Sequence, residues 1–239
     1  MPVSDPPATH GAEPEPVAPS RGVRTSVLIV ASLAATVCAV FGISAVASVA
    51  LHREDVTRTT IDADVDRLVV HGDASDVVVV RSPDERIHVR AEAHYLTDRP
   101  SPRPRIDDGV LRLSGDCGGW WLIGGCSIDY RVAVPAGTSV DVQTEAGDVE
   151  VAGLDARDVR VGSDAGDVHV KLYGVPDRVD VSSDAGDVHV EVPRAPYAVE
   201  ASTDAGDVDV DGIVQDAAAS STIHASTDAG DIHIEPVRS

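Results

Sequence analysis

From Ser139 to the end of the chain, apolar residues fall at every second position in short runs, and the same polar corner interrupts each pair of runs. Val159, Val161 and Ser163 precede Ala165-Gly166-Asp167, and Val168, Val170 and Leu172 follow it. Alternation of this kind predicts strand, corner, strand. The corner recurs as Glu145-Ala-Gly-Asp148-Val, Asp164-Ala-Gly-Asp167-Val, Asp184-Ala-Gly-Asp187-Val, Asp204-Ala-Gly-Asp207-Val and Asp228-Ala-Gly-Asp231-Ile. The second Asp residues of these copies are 19, 20, 20 and 24 residues apart, so the last unit carries a short insertion around Ala217 to Ser221. Asp73-Ala-Ser-Asp76-Val77 reads as a degenerate earlier copy.

A period near twenty residues with two strands per unit predicts a flattened coil that cannot bury its own apolar face. Stacking such coils at about 4.8 Å lines up Val on Val and Ser/Thr on Ser/Thr. The expected fold is therefore all-β, a β-solenoid of about 20-residue coils resembling a parallel β-helix. The competing architecture is a meander or sandwich of antiparallel hairpins, but antiparallel pairing does not require like residues every twenty positions. The expected organisation is a solenoid domain over 61–239, with regular repeats over 138–239 and a linker over 52–60. Leu68 to Val70, Val77 to Val80, Ile87 to Val89 and Val110 to Leu113 read as less regular early coils. Arg99 to Arg105, with Pro100, Pro102 and Pro104, reads as a loop between them.

Ahead of the strands the pattern changes. Met1 to Ser20 is rich in Pro and poor in large apolar residues, which predicts a disordered tail over 1–25. Val27 to Leu51 carries no charge, and a helix of that length rises about 37 Å, enough to cross a hydrocarbon core of about 30 Å. One transmembrane helix over 26–51 is expected, anchoring a single-pass protein in the cell membrane. The alternative is a signal peptide cleaved near Ala47, which would leave a secreted domain. Arg21 and Arg24 before the helix are balanced by Arg53 and Arg58 after it, so charge does not orient it. Cys117 and Cys126, the only cysteines beyond it, flank a Gly-rich loop carrying Trp120 and Trp121. An even pair closing a short loop fits a disulfide in an oxidising compartment, and so an extracytoplasmic C-terminal domain; two free thiols in a cytoplasmic domain are the alternative.

Charge narrows the partners. The formal net charge is -21 and Lys171 is the only lysine, which excludes a nucleic-acid backbone as partner, because that contact needs Lys/Arg patches. With one Phe, two Trp and four Tyr, the core must be built from Val, Ala, Leu and Ile. Within the corner, Gly147, Gly166, Gly186, Gly206 and Gly230 are expected to supply a positive φ. The Asp residues are expected to accept backbone N–H bonds as Asx-turns. Asp167, Asp187, Asp207 and Asp231 are also calcium candidates, although calcium-binding β-rolls repeat their Asp turns every nine residues; no other cofactor is expected. His169, His189 and His233 share an outward position with Glu150 and Asp209 and are read as a solvated surface row.

The repeated Ser/Thr-Asp-Ala-Gly-Asp-Val-x-Val, preceded by Tyr130-Arg-Val-Ala-Val-Pro135-Ala-Gly-Thr-Ser-Val140, resembles a bacterial family of candidate surface adhesins of uncharacterised function. The resemblance covers about Val56 to Ser239. It implies a solenoid ectodomain on a membrane anchor, with roles in surface interaction or envelope-stress signalling, and it supplies no catalytic residues. The expected function is a surface or envelope interaction module with an unknown partner, not an enzyme. Two alternatives stand beside it: a calcium-dependent binding module, and a polysaccharide-active β-helix enzyme using Asp as acid and base. Uniformly repeated carboxylates, with only Tyr173 and Tyr197 as aromatics in the repeats, speak against the enzyme.

Overall fold

The computed structural model describes residues 53–95, 100–116 and 126–238. The tail, the membrane-helix candidate, Cys117, Trp120 and Trp121 lie outside the described residues. Among the described residues no helix is long and apolar enough to cross a membrane. The chain begins with strands β1 (Arg53–Ile61), β2 (Arg67–Ala74), β3 (Val77–Arg81), β4 (Ile87–Tyr95), β5 (Ser101–Asp107), β6 (Val110–Asp116) and β7 (Ser127–Val134). The repeats supply β8 (Ser139–Ala146), β9 (Val149–Leu154), β10 (Asp158–Ala165), β11 (Val168–Leu172), β12 (Arg178–Ala185) and β13 (Val188–Val192). They continue with β14 (Pro196–Ala205), β15 (Val208–Val210), β16 (Val214–Gln215), β17 (Thr222–Ala229) and β18 (Ile232–Pro236).

Each repeat contributes its first strand to one sheet and its second strand to another, with the Ala-Gly-Asp corner between them. The strand orders are β16-β14-β17-β12-β10-β8-β2-β6-β5 and β1-β4-β7-β3-β9-β11-β13-β18-β15. Alternate residues point into one apolar core shared by both sheets, where Val142, Val161 and Val181 meet Val151, Val170 and Val190, all at most 1% exposed. Registration is like on like: Val159 on Val179, Ser163 on Ser183, Ala165 on Ala185 and His169 on His189. The degenerate copy joins the stack in register, with Ala74 on Ala146 and Val77 on Val149.

The coils do not stack in chain order. β17 lies between β12 and β14, and β18 lies between β13 and β15. The last repeat therefore fills a level that the fourth repeat leaves open, and the fourth becomes the end of the stack. The longer connection serves this return: the chain leaves β15, lays β16 beside β14 at the open end, and descends to β17. Burial explains the order. The last repeat brings Ile223, Ile232 and Ile234 to the core columns, each at most 1% exposed, whereas Val208 of the fourth remains 43% exposed. The coil with more apolar volume occupies the inner level, where it gains most from burial. The end coil is blunted by the three-residue strand β15 and by Asp207, Asp209 and Asp211, devices that discourage edge pairing.

The early strands depart from the expected coils. β2 and β3 form a coil, but β4 runs antiparallel to both β7 and β1, and β5 runs antiparallel to β6. Residues 53–60 of the expected linker lie in β1, which pairs with β4 along its whole length. The Pro-rich stretch expected as a loop is largely strand β5, at the edge of its sheet. Pro102 and Pro104 are two residues apart, so the N–H groups they lack would both have pointed to the same side of the strand. An outermost strand has one side without a partner, and there Pro is tolerated.

Candidate functional site

The corner glycines adopt φ between +130° and +157° at Gly147, Gly166, Gly186, Gly206 and Gly230, a region that side chains other than glycine rarely enter. A second constraint accompanies the first. A Cβ on Gly166 would sit inside the van der Waals envelope of the Gly147 carbonyl, one on Gly186 would strike Gly166, and one on Gly230 would strike Gly186. The glycines are required by the approach of coil to coil as well as by the turn.

That approach is bonded twice. Inside the corner, hydroxyls donate to the glycine carbonyl of the adjoining coil: Ser163 Oγ to Gly147 (3.1 Å), Ser183 Oγ to Gly166, Thr227 Oγ1 to Gly186 and Thr203 Oγ1 to Gly230 (each 3.0 Å). Outside it, the second Asp of each corner donates its N–H to the carboxylate of the corresponding Asp one level away. Asp148 N–H donates to Asp76 Oδ1 (3.0 Å), Asp167 to Asp148 (2.9 Å) and Asp187 to Asp167 (2.8 Å). Asp231 then donates to Asp187, and Asp207 to Asp231 (both 2.8 Å). The Asp residues do satisfy backbone donors, but those of the neighbouring coil rather than of their own turn. The ladder follows the spatial order of the coils, from Asp187 through Asp231 to Asp207. Each bond offsets the roughly 1 kcal/mol repulsion between like charges at this spacing.

On the outer face of the sheet that carries β11, β13 and β18, two columns run side by side. The first reads Glu150, His169, His189, His233 and Asp209 across neighbouring strands; the second includes Lys171, Glu191 and Glu235. His169 and His189 stack with ring centroids 4.7 Å apart and planes within 9°, and His233 meets His189 edge-on at 6.2 Å. Glu191 is only 7% exposed. It accepts from Lys171 Nζ at 2.7 Å through Oε2 and lies 3.2 Å from His169 Nε2 through Oε1. Burial pushes the Glu191 carboxyl up, but bonds to Lys171 and His169 and their charge outweigh it, and the net shift is downward. The same bond holds the Lys171 ammonium above its ordinary value.

Among the described residues, the donor atoms of His169, His189 and Glu191 form a group of potential metal ligands lying within 4.8 Å of one another. The histidine row was legible in the sequence, but Glu191 was not, because its partners lie on a different repeat. The signal was present: Lys171 and Glu191 occupy the same place in consecutive units and are of opposite charge. Cys126 is half-buried immediately before β7, while its expected pairing with Cys117 lies outside the described residues.

Residues 126–235 match the model of the Toastrack DUF4097 family. No curated protein matches the chain. Among solved structures it is similar to a candidate cell adhesion protein from Clostridium sporogenes, at 12% identity and a TM-score of 0.58, over 77% of this chain and 100% of that one. A candidate adhesin from Bacteroides fragilis aligns at 13% identity and a TM-score of 0.34, over 77% and 97% of the two chains. One from Parabacteroides merdae aligns at 11% identity and 0.38, over 78% and 97%. The Clostridium likeness bears on the fold and agrees with the two-sheet solenoid.

Proposed function

We propose that this chain is a membrane-anchored, extracytoplasmic β-solenoid that presents a rigid patterned surface to an envelope or cell-surface partner and catalyses no reaction. The observation that carries this reading is the use made of the repeated Asp: the carboxylates of Asp148, Asp167, Asp187 and Asp231 hold coil to coil through backbone N–H bonds. A group occupied in this way is poorly placed as a general acid or base, which needs a free carboxyl within reach of a substrate proton. The chain's outward regularity suits recognition over an extended face. The similarity to a candidate cell adhesion protein supports the same reading. The apolar run from Val27 to Leu51 supports the anchor, and a Cys117–Cys126 disulfide would suit the oxidising side of the membrane.

A C-terminal tag tests anchor and orientation together. The tagged chain should sediment with membranes, and protease added outside intact cells should remove the tag; retention of the tag under protease would refute the extracytoplasmic placement. Purified chain should bind whole cells or envelope fragments, and the Asp187→Asn variant should keep any such binding. Glycan turnover abolished by Asp187→Asn alone, in a chain that remains folded, would show an enzyme instead.

A further inference from the structure

The intercalated last coil brings together what chain order separates. Sequential stacking would put Asp209 between His189 and His233, whereas the observed order makes His169, His189 and His233 consecutive rungs, with Asp209 outside them. The adjoining column sets Lys171, Glu191 and Glu235 beside these rungs. We propose that His169, His189 and Glu191 form a surface site for a divalent transition-metal ion of the zinc class, with the remaining position open to water. This site stands apart from the surface-interaction reading and does not depend on it.

Three features carry the assignment. The donor atoms are near one another, within 4.8 Å, and turning the stacked rings of His169 and His189 out of parallel would let them converge on one ion at the roughly 2.0–2.2 Å that zinc takes from His nitrogen and carboxylate oxygen. Two imidazoles and one carboxylate are borderline ligands suited to zinc, nickel or copper rather than to calcium. His189 Nε2 is shielded from solvent and makes no hydrogen bond among the described residues, although Glu235 Oε1 lies 3.3 Å away. A metal ion would replace that long contact to Glu235 with a direct bond. Lys171 holds Glu191 Oε2 and leaves Oε1 turned towards His169, the outer-shell arrangement that orients a ligating carboxylate.

The test uses the full chain in mild detergent, without a polyhistidine tag. It is titrated with zinc chloride by calorimetry and with cobalt chloride by visible absorption. One zinc ion per chain should bind with defined affinity, and cobalt should give the intense bands of a four-coordinate site. His189→Ala and Glu191→Gln should each weaken zinc binding at least about tenfold, the size expected even for loss of an outer-shell partner. His224→Ala, in β17 on the other sheet, should leave it unchanged. Circular dichroism of the metal-free variants separates a lost ligand from a lost fold, and His169→Gln replaces His189→Ala if the latter does not fold. The assignment is overturned if the parent chain takes up no zinc, if folded His189→Ala binds it as tightly as the parent, or if His224→Ala weakens it equally.

Discussion

Residues 139–236 and residues 53–134 extend the same two sheets under different rules. In the repeat region parallel strands lie in register, so Val159 meets Val179 and Ser163 meets Ser183. In the early region β1 and β4 meet head to tail, with Arg53 against Tyr95 and Val56 against Glu92. Parallel stacking rewards identity between neighbours, because each rung sees the same environment above and below. Antiparallel pairing asks only that the inward face be apolar and the outward face polar. The repeat is thus a consequence of how the coils stack, and its absence at β1, β4 and β5 goes with antiparallel pairing rather than with the end of the fold.

Glycine substitutions should break the comparison most sharply. Gly166→Ala places a methyl group against the Gly147 carbonyl at a φ of +151°, and strain with overpacking should destabilise the chain by more than about 3 kcal/mol. Gly137, between β7 and β8, has φ +84° with nothing near an added Cβ, so Gly137→Ala should cost only about 1 kcal/mol. Urea unfolding of the two variants measures the difference; equal losses would mean that coil-to-coil contact is not what the corner glycines protect.

Core truncations test the order of the coils. Ile234→Ala removes a side chain that is 1% exposed in the inner last repeat and should cost about 2–5 kcal/mol. Val210→Ala, in the end coil, should cost about 1 kcal/mol, since Val210 is only half-buried and its loss leaves little cavity. Chain-order stacking would reverse the ranking. The Asp ladder gives a smaller effect of the same form. Asp187 accepts a bond from Asp231, and Asp187→Ala should cost about 1 kcal/mol. Asp207 is the last rung and accepts no such bond among the described residues, so Asp207→Ala should be nearly neutral in the same unfolding assay.

These contrasts show how far the sequence could be read. The Val columns, the corner glycines and the degenerate copy at Asp73 to Val77 were legible because parallel stacking writes itself into the chain as repetition. Coil order was not, since in-register rungs accept any neighbour with the same columns. Only the 24-residue spacing and the Ile-rich last copy against the Asp-rich fourth hinted at the exchange. Nor were β1 and β5 legible: their partners, β4 and β6, are not copies of them, and the prolines of β5 signal a loop unless the strand is known to be an edge. The group at His169, His189 and Glu191 was half-visible, as a row without its second column.

Two buried tyrosines, one from each region, carry a contrast of sign. Tyr130 in β7 takes a place that Val fills in the neighbouring strands, opposite Ala91, and its hydroxyl is buried without a hydrogen-bond partner among the described residues. Tyr197 in β14 donates to the Pro193 carbonyl at 3.0 Å. Both hydroxyls are pushed up to about 12, Tyr130 by burial and the Asp73 charge and Tyr197 by burial. Tyr197→Phe should therefore cost about 1 kcal/mol, while Tyr130→Phe removes an unsatisfied donor and should stabilise the chain by up to about 1 kcal/mol. Their pH dependence runs in one direction. A group whose value is higher folded than unfolded binds its proton more tightly in the folded state, so its contribution is complete below pH 10 and is lost as pH rises towards 12. Thermal unfolding at pH 9 and 11 should show a smaller alkaline loss in the double variant than in the parent. An unchanged alkaline loss would place the titrating groups elsewhere, and a destabilised Tyr130→Phe would mean that the hydroxyl has a partner.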